Sequence, residues 1–157
     1  MPSPTIRRAQ TNEAAALSQI ARDAKKYWGY PDSWLEHWRD ELTISADFVD
    51  ANVVYVFEHD GDVQGFYGLI LRNDKAELEH LWVSPKHIGT GVGKELFIHA
   101  MQQAAGEQIS EVQLTADPNA EGFYQKMGAY RIGDVRADMD ENPRIIPRLA
   151  VKPKKSK

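Results

Sequence analysis

The stretch from Val53 to Val83 constrains the fold more than any other part of the chain. Its apolar residues alternate, and two tight turns, Asp60-Gly61 and Asn73-Asp74, divide it into "VVYVFEH", "VQGFYGLILR" and "AELEHLWV". Alternation at period two marks strands, and Asp-Gly between two such runs is a hairpin signal. Strands joined by turns this short are antiparallel neighbours. Three sequential antiparallel strands therefore sit at the centre of the expected fold.

Helical periodicity surrounds this meander. "TIRRA" reads as a short extended opening, and Thr11 as the cap of a helix in which Ala14, Leu17, Ile20, Ala21 and Ala24 recur at helical spacing, ending near "KKYWGYP". Ser33 and Glu36 stand three apart ahead of Leu35, Trp38 and Leu42, the capping-box pattern of a second helix. Ser45 to Asp50 adds one more turn. Beyond the meander, Val92, Leu96, Phe97, Ala100, Met101 and Ala104 form one apolar stripe on a helix ending near Gly106. "EVQLT" follows as a strand, "NAEGFYQKM" as a short helix stopped by Gly128, and "AYRIGDV" as another strand. That strand, helix, strand order predicts a parallel pair. "DMDENPRIIPR" reads as a loop before a last short strand around Leu149 to Val151. The expectation is one α+β domain over residues 1–151 with a mixed, mostly antiparallel sheet flanked by helices, and a basic tail over 152–157.

A chain of 157 residues is the usual size of one domain. Its net charge is −4, and its basic residues are scattered except in the terminal "KPKKSK", which argues against a nucleic-acid surface. No apolar run reaches the ~18 residues of a membrane span, and the N-terminus lacks the apolar stretch of a signal peptide. A cytoplasmic location is the expectation. The chain has no cysteine, so disulfides, thiolate metal sites and a cysteine nucleophile are excluded together.

The chemistry is announced by "VSPKHIGTGVGKELF", where Gly89, Gly91 and Gly93 alternate just before a helix. Glycines let backbone approach a ligand, and a helix start points free N–H groups and the positive end of its dipole at an anion. Spacing separates the candidates. A P-loop requires Gly, four residues, then Gly-Lys-Ser/Thr. Here Gly93-Lys94 is followed by Glu95, and Ile88 occupies the first glycine position. The dinucleotide fingerprint would require a glycine at Lys94. Neither a Walker nucleotide site nor a nicotinamide site is expected.

The stretch "LEHLWVSPKHIGTGVGKELF" and, in the right order after it, "DPNAEGFYQKMGAYRIG" resemble the GCN5-related N-acetyltransferase (GNAT) family. The first is similar to the family's strand, acetyl-CoA loop and helix, with Gly91 and Gly93 as the loop glycines and Ile88 at the usual Arg/Gln position. The second is similar to its later asparagine and Phe-Tyr motif. The resemblance implies a GNAT-like (acyl-CoA N-acyltransferase) fold and acetyl-CoA as acyl-donor cosubstrate. It further implies cofactor contacts from Leu81, Trp82 and Val83, whose backbone would pair with the pantetheine arm. The loop residues Ile88, Gly89, Thr90, Gly91, Val92, Gly93 and Lys94 would follow, together with Asn119 and Phe123. With Ile88 offering no side-chain hydrogen bond, the grip on the pyrophosphate falls to the backbone N–H groups of Gly89 to Gly93, with Lys94 as a helper.

Acetyl transfer to an amine needs a proton acceptor, charge stabilisation at the thioester oxygen and a proton for the departing thiolate. By resemblance Tyr124 is the proton donor to sulfur, and Glu79, with Glu77 second and water third, accepts the amine's proton. Alternation places Glu77, Glu79, Leu81 and Val83 on one strand face and Leu78, His80 and Trp82 on the other, so His80 is expected to pack rather than react. A backbone N–H around Trp82 or Val83 is the expected oxyanion donor. The aromatics Tyr27, Trp28, Tyr30, Trp34 and Trp38 lie where this fold borders the acceptor. The expected reaction is direct attack by a small-molecule primary amine in a ternary complex. A protein or peptide amine and a non-catalytic acyl-CoA sensor are the alternatives. The expected partners are acetyl-CoA and the amine, with no nucleic acid, no membrane and a homodimer in view.

Overall fold

A computed structural model describes residues 3–153, so Lys154 to Lys157 of the basic tail lie outside the described residues. The elements are β1 (Thr5–Arg8), α1 (Ala14–Tyr27), α2 (Asp32–His37), α3 (Ala46–Ala51), β2 (Val53–His59), β3 (Asp62–Arg72), β4 (Lys75–Val83), α4 (Val92–Gly106), β5 (Glu111–Thr115), α5 (Glu121–Lys126), β6 (Tyr130–Arg136) and β7 (Ile145–Val151). The strands form a seven-stranded mixed sheet in the order β1-β2-β3-β4-β5-β7-β6, an α+β architecture. The chain clusters into two compact units. One is built from the described residues up to Leu69 with His80–Ala100, the other from Ile70–Glu79 with the described residues from Met101 onward.

In the first unit β1, β2 and β3 pair antiparallel, with Tyr55 opposite Tyr67 and Val56 opposite Phe66. The hairpin turn is made by Asp60 (φ 53°) and Gly61 (φ 76°), as two left-handed residues in a tight hairpin require. Leu17, Val54, Val56, Phe66, Leu69 and Leu96 are shielded from solvent and form the core. Helix α1 is fixed partly by Ser18, whose hydroxyl accepts the Ile44 N–H at 2.7 Å. Two caps differ from expectation. The segment starts at Gln10, whose N–H is taken by the Glu13 carboxylate at 2.8 Å, so Glu13 rather than Thr11 satisfies the helix entrance. Helix α2 opens on Pro31, whose carbonyl accepts from Trp34 and Leu35, which leaves Ser33 inside the helix instead of capping it. At α3, Ser45 is the cap, accepting the Phe48 N–H at 3.0 Å.

In the second unit the first residues of β4 pair parallel with β5, at Lys75↔Glu111, Ala76↔Val112 and Glu77↔Gln113. This is the expected parallel pair across the glycine loop. A second expectation is corrected: β6 is not the neighbour of β5. Strand β7 lies between them, antiparallel to both. The reason lies in "PRIIPRLAV", which folds as strand from Ile145 rather than Leu149. Pro147, which suggested a loop, still offers its carbonyl to the Ala116 N–H at 3.0 Å. Cross-strand partners share a face, so Ala76, Val112, Leu114 and Leu149 form one buried face, and Glu77, Gln113 and Arg148 the other. Helix α5 covers the buried face, since its Glu121 is gripped by Arg131 of β6, the register partner of Leu149.

One glycine in β3 is required by close approach. A Cβ on Gly65 would stand 2.8 Å from the backbone oxygen of Trp82 and 3.1 Å from Leu96 Cδ1. Gly65→Ala is therefore expected to destabilise the protein by about 1–3 kcal/mol, the cost of overpacking a tight core. Urea denaturation should show a lowered midpoint at unchanged slope, and an unchanged midpoint would contradict the packing.

Candidate active site

The glycine loop is shaped by local backbone geometry. After β4, residues Pro85–His87 make one tight helical turn, Ile88 is extended, and Gly89 (φ 83°) and Gly91 (φ 93°) take left-handed conformations that side chains disfavour. A Cβ at either glycine would touch nothing within 4 Å, so conformation rather than space demands glycine. Thr90 folds back, its hydroxyl and N–H both donating to the His87 carbonyl. The first bond of α4 runs from the Glu95 N–H to the Gly91 carbonyl at 3.0 Å. The N–H groups of Gly89, Gly91, Val92, Gly93 and Lys94 consequently have no acceptor among the described residues. Converging donors at a helix start form a concavity for an anion. Ile88 and Lys94 are exposed beside it.

Strand β4 has two parts with different surroundings. Up to Glu77 it is bonded to β5. From Leu78 to Val83 it has no strand partner on that side among the described residues, so its backbone there forms a free edge. Leu81, Trp82 and Val83 are half-buried. His80 is buried, edge-on to Phe48 at 5.4 Å, and its Nδ1 accepts the Trp82 indole N–H at 3.1 Å. Burial pushes its pKa down to about 4, so at neutral pH the imidazole is uncharged, with its proton on Nε2.

In the second unit Glu77 is held by Arg148 in a two-pronged ion pair, Nη1 to Oε2 at 2.5 Å and Nη2 to Oε1 at 2.6 Å. The same guanidinium donates to Thr115 Oγ1 at 3.0 Å and Gln113 Oε1 at 3.1 Å. Its pKa is raised, first by the hydrogen bonds to Glu77 and also by the charges of Glu77 and Glu79. Glu79 is exposed on the strand within reach of that field. Tyr124 is buried on α5, and burial, reinforced by the Asp117 carboxylate, holds its hydroxyl well above the ordinary tyrosine range, hence protonated. Phe123 lies edge-on to it at 5.2 Å. The N–H and side-chain amide of Asn119 both donate to Asp117 Oδ1, at 2.8 and 2.9 Å. The residues named from the sequence thus gather as a glycine loop and free strand edge in the first unit. In the second, Glu77 and Tyr124 stand on opposite sheet faces. Arg148 and Gln113 escaped the sequence reading. The signal available was the apolar pair Ile145-Ile146 beside Arg148, inside a stretch read as a loop that ends at Arg148.

These features are those of an acyl-CoA-dependent transferase, and comparison with known proteins agrees. The sequence profile of the Acetyltransferase (GNAT) family matches residues 15–129. The peptidyl-lysine N-acetyltransferase YiaC of Escherichia coli (strain K12) is 30% identical over 142 residues, covering 90% of this chain and 93% of that protein. The PaiA N-acetyltransferase of Thermoplasma acidophilum, solved in complex with coenzyme A, superposes with a TM-score of 0.75 at 23% identity, over 96% of this chain and 99% of that one. The ribosomal-protein-S18-alanine N-acetyltransferase of Escherichia coli does so with a TM-score of 0.75 at 16% identity, over 99% and 97%. The chain belongs to the GNAT acetyltransferase family. It is an N-acetyltransferase, and acetyl-CoA is the family's acyl donor. No helix among the described residues is long and apolar enough to cross a membrane.

The depressed pKa of His80 makes stability depend on pH. Between its unfolded value of 6.5 and its folded value of about 4, only the unfolded chain binds the proton, so stability is full above 6.5 and is lost as pH falls toward 4. The loss from this residue is up to about 3 kcal/mol. His80→Gln should flatten the pH dependence of the urea midpoint between neutral pH and pH 5, whereas a parallel curve would show that the imidazole is not buried neutral.

Proposed function

We propose that the protein transfers the acetyl group of acetyl-CoA to a small-molecule primary amine by direct attack in a ternary complex. The observation that carries the cofactor assignment is the cluster of unpartnered N–H groups of Gly89, Gly91, Val92, Gly93 and Lys94, which suits a pyrophosphate without help from the side chain at Ile88. The free edge of β4 is the second support. A pantetheine arm laid along Leu81, Trp82 and Val83 would take hydrogen bonds that β5 does not. Thr90, Val92, Gly93 and Lys94 complete the loop, and Asn119 and Phe123 are assigned to the cofactor as well.

The amine nitrogen attacks the thioester carbon, its extra proton passes to Glu79 directly or through water, and a backbone N–H around Trp82 or Val83 receives the developing oxyanion. The C–S bond then breaks, and Tyr124 gives its phenolic proton to the thiolate. Burial raises the pKa of the Tyr124 hydroxyl, so it is protonated at neutral pH, the state a proton donor starts from. Exposure supports Glu79 as the base, since a diffusing amine can reach it, whereas Glu77 is engaged by Arg148 and is assigned as the neighbouring counter-charge. The absence of cysteine favours direct transfer over an enzyme thioester. A second reading, a lysine side chain of a protein or peptide as acceptor, is favoured by the name of the relative YiaC at 30% identity.

Thiol release from acetyl-CoA, measured over amines, amino acids and lysine peptides, decides the acceptor. A small amine should give the highest kcat/KM, and saturation only with lysine peptides would replace the first reading with the second. Tyr124→Phe should lower kcat roughly 100-fold, the low end for a lost general acid, with acetyl-CoA affinity unchanged. Wild-type turnover in that variant would remove Tyr124 from the mechanism.

Glu79→Gln should abolish the acidic limb of the kcat/KM profile. Arg148→Met removes the positive charge beside two carboxylates and should move that limb to higher pH. A limb unchanged in both variants would assign the base to water or another group. Acetyl-CoA at about 100 times its Kd should stabilise the fold by about 2.7 kcal/mol in thermal or urea unfolding, where ATP or NAD should not.

A further inference from the structure

The first residues of β3 lie against the segment that leads from β4 into the glycine loop, and three successive contacts join them. A Cβ on Gly65 would stand 2.8 Å from the Trp82 carbonyl oxygen, the Gln64 carbonyl accepts the Ser84 N–H at 2.9 Å, and Asp62 Oδ2 stands 3.4 Å from His87 Nε2. The contacts step toward the hairpin turn on one side and toward the loop on the other. The last of them, Asp62 to His87, falls two residues before Gly89. The acid in the hairpin turn, Asp60, meets its own neighbour His59 at 3.8 Å, so Asp62 is the one that reaches the loop.

The shape of the loop turns on His87. Its N–H donates to the Ser84 carbonyl at 2.8 Å, and its carbonyl accepts both the Thr90 N–H at 3.3 Å and the Thr90 hydroxyl. Those two bonds close the chain over Ile88 and Gly89, so the place of His87 sets the place of Thr90 between left-handed Gly89 and Gly91. From His87 to Thr90 every backbone hydrogen bond among the described residues stays within residues 84–90. The polar tie from this stretch to the sheet is therefore the imidazole of His87 on Asp62. An imidazole N–H meets a carboxylate whether the ring is neutral or cationic, so either form holds it.

We propose that Asp62 is a positioning residue for the acyl donor, acting through His87 to hold the glycine loop in the form that leaves the N–H groups of Gly89, Gly91, Val92, Gly93 and Lys94 unpartnered. The inference rests on the reading of that loop as the acetyl-CoA site. A site made of backbone donors depends on their being in place before the anion arrives, because freedom frozen on binding subtracts from affinity. With Ile88 offering no side-chain donor, that order has to come from how the loop is held. The role falls to a residue of the wrong charge for the ligand. A carboxylate near a site for a polyanion repels it, and at 65% side-chain exposure the repulsion is screened but keeps its sign. Field and tether thus have opposite consequences when the carboxylate is removed: tighter binding from the first, weaker binding from the second.

Isothermal titration of the full chain with acetyl-CoA tests the tether. Asp62→Ala should raise Kd about threefold, the range an exposed ion pair can supply, and His87→Ala by at least as much. The double variant D62A/H87A should be no weaker than His87→Ala, because Asp62 acts only through the imidazole. Asp62→Asn keeps an oxygen for the imidazole N–H and should restore most of the lost affinity. Asp60→Ala, which removes an acid of the same hairpin, should leave Kd at or slightly below the wild-type value. Unchanged binding or tighter binding in Asp62→Ala overturns the proposal, and so does an equal loss in Asp60→Ala, no rescue in Asp62→Asn, or a double variant whose loss is the product of the two single losses. A fall in the urea midpoint large enough to account for the lost binding also overturns it. A wild type that does not bind acetyl-CoA removes the reading of the loop itself, and this inference with it.

Discussion

The site depends on one charged group that fastens three strands at the point where two of them stop pairing. Arg148 on β7 grips Glu77 on β4 and reaches Gln113 and Thr115 on β5. Glu77↔Gln113 is also the last pair of the β4–β5 ladder. A parallel ladder that simply ended would fray, since its final bonds are exposed to competition from water. A two-pronged guanidinium–carboxylate pair is directional, and both partners are mostly shielded, with side chains 24% and 15% exposed. It ties β4, β5 and β7 together at the last residue pair of the ladder.

The glycine loop solves a related problem by a different route. An anion in water holds its hydration shell, and only donors already oriented and already lacking partners can compete with it at low cost. Gly89 and Gly91 take the left-handed backbone, and the N–H groups of Gly89, Gly91, Val92, Gly93 and Lys94 have no acceptor among the described residues. Thr90 closes on His87 by its own side chain, which consumes the one polar group that would otherwise compete for the site. In the proposed reading such a loop needs no side-chain donor at Ile88, because its backbone N–H groups supply the hydrogen bonds.

Much of this was legible before any coordinates. The tight turns at Asp60-Gly61 and Asn73-Asp74 and the alternation between them have few structural interpretations, and both turns carry the positive φ angles that their residues permit. The apolar stripe from Val92 to Ala104 likewise specified a helix. Legibility failed where a local signal competed with a tertiary one. Pro147 reads as a strand breaker, but it lies in a strand whose neighbour needs only its carbonyl. Ser33 has the spacing of a cap, yet Pro31 opens the helix earlier. Arg148 could not be recognised as a partner of Glu77, because 71 residues separate them and nothing local marks the pair. The order β5-β7-β6 was hidden for the same reason, since inserting the last strand between two earlier ones is decided by burial of Leu149 and Val151 and not by any nearby residue.

The environments of the ionisable groups show how one small domain keeps several protons apart. Tyr124 is enclosed, beside a carboxylate, and both effects favour the neutral phenol. His80 is enclosed among rings with a single indole N–H pointed at it, and burial again favours the neutral form, so the imidazole adds no charge to β4. Of the two glutamates of β4, Glu79 is exposed and Glu77 is half-buried in its pair with Arg148. Burial therefore keeps the Tyr124 phenol neutral, and exposure leaves the Glu79 carboxylate in contact with solvent. Burial and exposure thus set opposite conditions for ionisation, the first on helix α5 and at His80, the second at Glu79.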